Sequence, residues 1–366
     1  MKKILYIIIA VIVVGGVIWF ALSNGKLQKT NGPIKIGSIL PLTGDFAFFG
    51  GEILRGEQIA LDEAQKNGTN IQLISEDDKS QPTGSVNSAN KLTQIDKVKA
   101  VITATLQEVK PMTSIFNDGL IPLLATWDSN DYIKNAGKNI FTIGFSTEAA
   151  GKKMADYAYN TLGLRNVAVV NALDEWSSLV ASAFTKEFTS LGGKIVLTEQ
   201  VSPSQKEFRT QIAKIKDIKA DGVYAPLLPT TIGPLLKQMK DLGLNKPFMT
   251  GDSFSADELA TANGGAEGIY FTNLYADNTK ALDAKYLAKY GQAPGASVFV
   301  SFGYDGMRTV LEAVKISQEK NISVSDAMRQ VNIAGTDSQI NMNGGQYSEK
   351  FEKLYQVRGS DFVEIK

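Results

Sequence analysis

The run Gly251-Asp252-Ser253-Phe254-Ser255 sets a carboxylate and a serine hydroxyl directly after Pro247–Thr250, a short apolar stretch that reads as a β-strand. Two chemistries suit that placement. A serine after a strand is where a hydrolase nucleophile sits, and an aspartate there can offer a ligand cation a charge-assisted hydrogen bond. The chain has no histidine, the usual proton-relay partner of such a serine. Carboxylate binding by Asp252 is therefore the more economical reading, with a helix N-cap as its structural alternative. Cysteine is also absent, which removes thiol nucleophiles, disulfides, thiolate or imidazole zinc sites and lipid attachment through cysteine. The glycine-bearing run from Pro41 to Gly51 feeds a helix whose free N–H groups could receive an anion, or simply makes a tight turn. It contains neither GxxxxGK[ST] nor GxGxxG, so no nucleotide cofactor is expected. Trp127 and Trp176 each fall just past a predicted strand, where an indole can wall an apolar ligand, hold a cation on its face or pack into the core. Glu76-Asp77-Asp78 reads as a solvated strand end rather than a hard-cation patch.

From Pro33 onward, short apolar runs alternate with amphipathic stretches of ten to twenty residues, the pattern of βα units around largely parallel sheets. The fold class is α/β. Strands are expected over Ile34–Leu40, Ile71–Ser75, Ala100–Ala104, Ile121–Ala125, Ile140–Gly144, Val167–Asn171, Lys194–Thr198, Gly222–Ala225, Pro247–Thr250 and Gly268–Asn273. Helices are expected over Gly51–Lys66, Glu148–Thr161, Ser177–Leu191, Lys206–Ile218, Ile232–Leu242, Ala281–Tyr290 and Phe302–Ser317. So many strands exceed one small sheet. Open parallel sheets bind ligands beyond the carboxyl ends of their strands, so the segments after the strands are where function belongs.

The 366 residues suggest two domains, and 43% hydrophobic content is ample for their cores. Lys plus Arg equals Asp plus Glu at 38 each, leaving no basic field for nucleic acid. Met1, Lys2 and Lys3 precede an apolar run from Ile4 to Leu22 with Trp19 near its far edge. Such a segment directs export or anchors the chain in a membrane. Its length favours an uncleaved helix with the lysines inside, while Ala21-Leu22-Ser23 is similar to a signal cleavage site. Asn24 to Gly32 reads as a polar linker.

Several motifs occur in one order along the chain: Ile34-Lys35-Ile36-Gly37 through Pro41-Leu42-Thr43-Gly44, then Gly56-Glu57-Gln58-Ile59-Ala60-Leu61, Leu120-Ile121-Pro122-Leu123-Leu124 and Val167-Ala168-Val169-Val170. Leu236 to Leu244 and Gly303-Tyr304-Asp305-Gly306 follow. In this order, from Ile34 to Ile365, the chain resembles the leucine/isoleucine/valine-binding protein family, the type I periplasmic substrate-binding proteins of ABC importers. The resemblance implies two Rossmann-like lobes joined by three crossings. Residues 33–146 and 277–340 would form lobe 1, and 147–276 and 341–366 lobe 2, with Leu354–Val357 and Phe362–Ile365 returning as strands.

It also implies a site between the lobes. Asp252 falls where an acidic partner of a ligand amine is expected, Trp176 in the place of a tyrosine, and Ser129 at a threonine that contacts both ligand ends. Phe49 matches an aromatic pocket position, and Trp127 would offer its backbone carbonyl. Thr103-Ala104-Thr105-Leu106-Gln107 replaces a Gly-to-Ser loop for the ligand carboxylate, which reassigns the donors to Thr105 and Gln107. Leu227-Leu228-Pro229-Thr230 stands where an aromatic often follows a lobe 2 strand and makes Leu228 part of an apolar wall. The implied function is non-enzymatic: an extracytoplasmic receptor that closes on a small solute, an amino acid or a related compound, for an ABC permease and its ATPase. It would be held at the membrane through residues 4–22. A membrane-anchored sensor that signals to a partner protein is the alternative.

Overall fold

The computed structural model describes residues 32–275 and 277–365. The apolar segment Ile4–Leu22 lies outside the described residues. Among those described, no helix is long and apolar enough to cross a membrane.

The first part of the chain runs β1 (Ile34–Leu40), α1 (Ala47–Lys66), β2 (Ile71–Asp77), α2 (Pro82–Asn90), β3 (Val101–Thr103), α3 (Leu106–Asp118), β4 (Leu123–Ala125), β5 (Asp128–Ser129), α4 (Asp131–Asn135), β6 (Ile140–Thr142) and β7 (Phe145–Ser146). Five of these strands form a sheet in the order β2-β1-β3-β4-β6. The pairs β1/β3, β3/β4 and β4/β6 are parallel, with Ser38 beside Ile102, Ile102 beside Leu124 and Leu124 beside Phe141. These strands are short and apolar because helices cover both faces: β3, β4 and β6 are buried at every residue.

The chain then continues through α5 (Thr147–Asp156), β8 (Asn166–Ala172), α6 (Glu175–Ser190), β9 (Lys194–Val201), α7 (Arg209–Asp217), β10 (Gly222–Tyr224), α8 (Ile232–Asp241), β11 (Phe248–Thr250), α9 (Ala256–Thr261) and β12 (Tyr270–Asn273). It returns to the first sheet with α10 (Lys280–Tyr290), α11 (Ser297–Lys320), α12 (Val324–Met328) and the hairpin β13 (Asn332–Ala334) and β14 (Gln339–Asn341). Finally β15 (Lys353–Arg358) and β16 (Asp361–Ile365) join the second sheet, whose order is β16-β15-β12-β11-β10-β8-β9. This sheet is parallel from β9 to β12 and antiparallel where β15 meets β12 and β16.

Helix α11 seats against α1 through two glycines. A methyl at Gly303 would stand 1.8 Å from the Ile53 carbonyl oxygen, and one at Gly56 2.0 Å from that of Val300, so neither position admits a Cβ. Asp305, two residues after Gly303, is fully buried. Its carboxylate accepts from the Thr336 N–H and hydroxyl and pairs at 3.3 Å with Lys350, which is only 5% exposed.

Three segments run side by side where the chain passes between the sheets. The Ser146 N–H donates to Lys350 O at 2.8 Å and the Lys350 N–H to Gly144 O at 2.9 Å. The Phe145 and Tyr275 rings meet edge to face at 5.5 Å, and Lys353 reaches Asp277. Crossings of this kind let two lobes rotate as bodies while few backbone angles change.

Candidate ligand-binding site

The edge of the first sheet is dominated by the start of α3. Thr105 caps this helix because Thr105-Leu106-Gln107-Glu108 is a capping box. The Gln107 N–H donates to Thr105 Oγ1 at 3.2 Å, and the Thr105 N–H donates to Glu108 Oε2 at 2.5 Å. The Leu106 N–H donates to Asp128 Oδ2 at 2.9 Å. The loop expected to receive a ligand carboxylate is thus filled by the chain's own acceptors. The exposed Gln107 extends its amide to Ser80 O at 3.4 Å.

Just beyond β4, Trp127 and Phe49 are half-buried and pack edge to face at 5.5 Å, both against Phe299. The Trp127 carbonyl accepts the Phe145 N–H at 2.7 Å, which uses one of its two lone pairs. Ser129 is also engaged within the chain. It is fully buried in the short β5 strand, and its hydroxyl donates to Glu349 of the third crossing at 3.1 Å. Pairing β5 with β7 turns this residue toward the hinge.

In the second lobe, Trp176 lies in the first turn of α6, whose N-cap Asp174 accepts the Ser177 N–H at 2.9 Å. The indole lies over Gly251, where an added Cβ would be 3.0 Å from Trp176 Cζ2. That contact places the ring next to Asp252. Leu228 is half-buried against the core behind β10. Asp252 is not a helix cap, because Ser255 caps α9. Ser253 is no nucleophile, since its hydroxyl donates to Leu227 O at 2.5 Å.

The carboxyls that follow β4 and β11 lie near enough to feel one another's charge. Burial, then the neighbouring Asp128 charge, push the Asp252 carboxyl up to about 7. Burial, offset in part by the Leu106 N–H and reinforced by Glu148, holds Asp128 at about 6. Glu352, on the third crossing, is raised well above the carboxylate range by burial and then by Asp252, with Asp128 adding to it. Its Oε2 has no hydrogen-bond partner; the Thr272 hydroxyl lies beside the carboxyl without reaching bonding geometry. Asp252 and Asp128 nevertheless keep some solvent-accessible surface, as groups lining a cleft do. Sequence reasoning missed Asp128, Glu148 and Glu352. Asp128 was legible in principle, wedged between Trp127 and Ser129, whereas Glu352 reaches the site only through the return of the chain.

The sequence profile of the family described as "Periplasmic binding protein" matches residues 33–357. The chain belongs to that family. It is 30% identical over 266 residues to an amino acid binding protein of Pseudomonas aeruginosa, covering 69% of this chain and 70% of the relative. It is 29% identical over 303 residues to the Leu/Ile/Val-binding protein BraC3 of Rhizobium johnstonii, covering 80% and 81%. Its fold is similar to that of the leucine-binding protein LivK of Thermotoga maritima MSB8, with a TM-score of 0.77 at 23% identity over 91% of this chain and 98% of that one. Periplasmic binding proteins hold solutes rather than transform them, and they work outside the cytoplasm. In this periplasmic binding protein, Trp127 and Phe49 follow strands of the first sheet, and Trp176 and Asp252 follow strands of the second, the indole lying over Gly251. A cation suits that wall, because it neutralises carboxyls whose ionisation burial opposes.

Proposed function

We propose that this periplasmic binding protein captures a small amine-bearing solute, an amino acid or a related compound, between two lobes and delivers it to an ABC-type permease and its ATPase. The lobes are those expected from residues 33–146 with 277–340 and 147–276 with 341–366, and residues 4–22 tether the receptor outside the cytoplasm. The observation that carries the reading is Asp252, a cleft carboxyl beside the Trp176 ring with no lysine or arginine ion pair among the described residues. Phe49, Trp127 and Leu228 supply apolar wall; Thr105, Gln107 and Ser129 shape the first-lobe edge. Closure excludes water and strengthens the ammonium–carboxylate contact.

The test is intrinsic tryptophan fluorescence of the full chain, titrated with amines, amino acids and the anion benzoate. A saturable change with amine-bearing solutes, lost in Asp252→Ala, is expected. Saturation by benzoate alone, unaltered in that variant, contradicts the reading.

A further inference from the structure

We infer that Ser177 and Ser253 are positioning residues: through the backbone of Pro226-Leu227 they hold Trp176 and Asp252 in one fixed arrangement, so that the second lobe's half of the solute site is built before solute arrives. This inference rests on the reading that Trp176 and Asp252 face the solute.

Beyond the end of β10 at Tyr224, four successive backbone carbonyls accept side-chain hydroxyls. Thr250 Oγ1 donates to Ala225 O at 2.7 Å, Ser177 Oγ to Pro226 O, Ser253 Oγ to Leu227 O at 2.5 Å and Thr231 Oγ1 to Leu228 O at 2.6 Å. Ala225, Pro226 and Leu227 are buried, so their polar groups must find partners inside the chain.

Two of these donors adjoin the groups assigned to the solute. Ser177 follows Trp176 at the start of α6, and Ser253 follows Asp252 after β11. Ser177 is fully buried, and its hydroxyl also accepts the Ala172 N–H at 2.8 Å at the end of β8. The segments that follow β8 and β11 are thus tied to adjacent carbonyls of a single dipeptide, which acts as a strap between them. Packing agrees with the hydrogen bonds. A Cβ added to Gly251 would stand 3.0 Å from Trp176 Cζ2 and 3.9 Å from Pro226 Cβ, so the indole, the proline and the residue before Asp252 meet at one point.

The far end of the strap is held as firmly. Thr230 has φ +72°, a left-handed conformation that a β-branched residue rarely adopts. Glu258, buried in α9, accepts the N–H groups of both Thr230 and Gly233, and Lys206 donates to Thr230 O at 2.6 Å and Oγ1 at 2.8 Å. A strained residue of this kind persists only where its surroundings over-determine it. Leu228 lies between the pinned points, so the apolar wall shares the fixed arrangement.

Hydroxyls that only satisfied buried carbonyls would contribute stability and nothing more. A positioning role demands that loosening Ser253 be felt at Trp176, which belongs to a different segment. Hydrogen exchange of the full chain without solute, followed peptide by peptide, tests this. Ser253→Ala should speed exchange about threefold or more, as the loss of one hydrogen bond allows, both in residues 226–231 and in residues 172–178. In the latter, the Ala172 and Ser177 N–H groups report on the Trp176 segment. Residues 106–118 of the first lobe should be unchanged. L-leucine, titrated by tryptophan fluorescence, should bind Ser253→Ala about three- to tenfold more weakly than the native chain, and Ser253→Thr, which keeps the hydroxyl, should restore both readouts. Should Ser253→Ala fail to fold, Ser253→Cys, with its weaker thiol donor, carries the same comparison. Unchanged exchange in residues 172–178 overturns the strap and leaves the reading of the site intact. Faster exchange there with L-leucine affinity unchanged overturns the reading that Trp176 and Asp252 face the solute, and the inference with it. The exchange pattern alone decides the strap if the native chain does not bind L-leucine.

Discussion

Asp252 sits under conflicting demands: burial and the Asp128 charge favour its neutral form, and an ammonium favours the anion. Replacing it by Asn keeps its shape and removes the charge. A hydrogen bond to a charged group contributes about 1.5–3 kcal/mol, so Asp252→Asn should weaken amine binding roughly ten- to a hundredfold. The direction of the pH effect follows from the raised values of about 6 for Asp128 and about 7 for Asp252. Below them the carboxyls keep protons that a cation must expel, so affinity is low at pH 5.5, climbs through 6 to 7 and levels off above. Titrations across that range check it; affinity that falls with rising pH would contradict the assignment of these acceptors. Asp252 and Trp176 were readable in the sequence because each follows an apolar run. The engagement of Thr105 by Glu108, of Ser129 by Glu349 and of the Trp127 carbonyl by Phe145 was not, because it depends on which side of a turn each group faces.

Helix α1 carries a second buried carboxyl with a different consequence. Glu57 is fully buried, accepts the Ser38 hydroxyl at 3.0 Å and is raised from an ordinary 4.5 to about 8, chiefly by burial. Between those values the folded chain holds a proton the unfolded chain has released, so this residue makes stability fall as pH rises from 4.5 to 8. Glu57→Gln should flatten that part of the profile, as read from urea midpoints at about pH 5 to 8; an unchanged slope would remove Glu57 as its source. On α11, Gly303→Ala should cost about 3 kcal/mol, since the added methyl meets backbone oxygen rather than a yielding side chain. Thermal unfolding measures it, and a neutral substitution would contradict the crossing geometry. Most elements were legible in the sequence. All ten strands expected from apolar runs are present, several with their ends shifted by one to three residues where the ladder hydrogen bonds stop or continue, and the seven expected helices are present too. Helix α3 was missed although Leu106, Val109, Met112 and Phe116 form a buried stripe, because Pro111 stands inside it; other missed elements lack such a stripe. Helix α2 is built largely from Ser, Asn and Thr with Pro82 at its start, and β13/β14 is a short hairpin whose residues are mostly exposed.

For the whole molecule, the hinge and the closing faces should respond differently. The Lys350–Asp305 pair is buried and ties the third crossing to α11. Lys350→Met removes the nearer cation from a buried carboxylate, leaving it Arg308 at 4.0 Å and the Thr336 donors, and should cost about 3 kcal/mol, seen as a lowered unfolding midpoint; a loss below about 1 kcal/mol would contradict its structural role. Across the cleft mouth, Lys110 and Glu175 join α3 to α6 at 2.7 Å, but their side chains are 50% and 47% exposed. Solvent screening leaves such a pair little to contribute. This surface pair therefore holds α3 to α6 only weakly. The most direct test is calorimetric titration of the full chain and of Asp252→Asn at pH 7.5 with the amine-bearing solute that saturates the tryptophan fluorescence. A loss of at least about tenfold in the variant, with its unfolding midpoint not lowered because a carboxyl raised to about 7 is itself destabilising at this pH, is the predicted result; equal affinity in the two proteins would contradict the placement of the solute amine on Asp252.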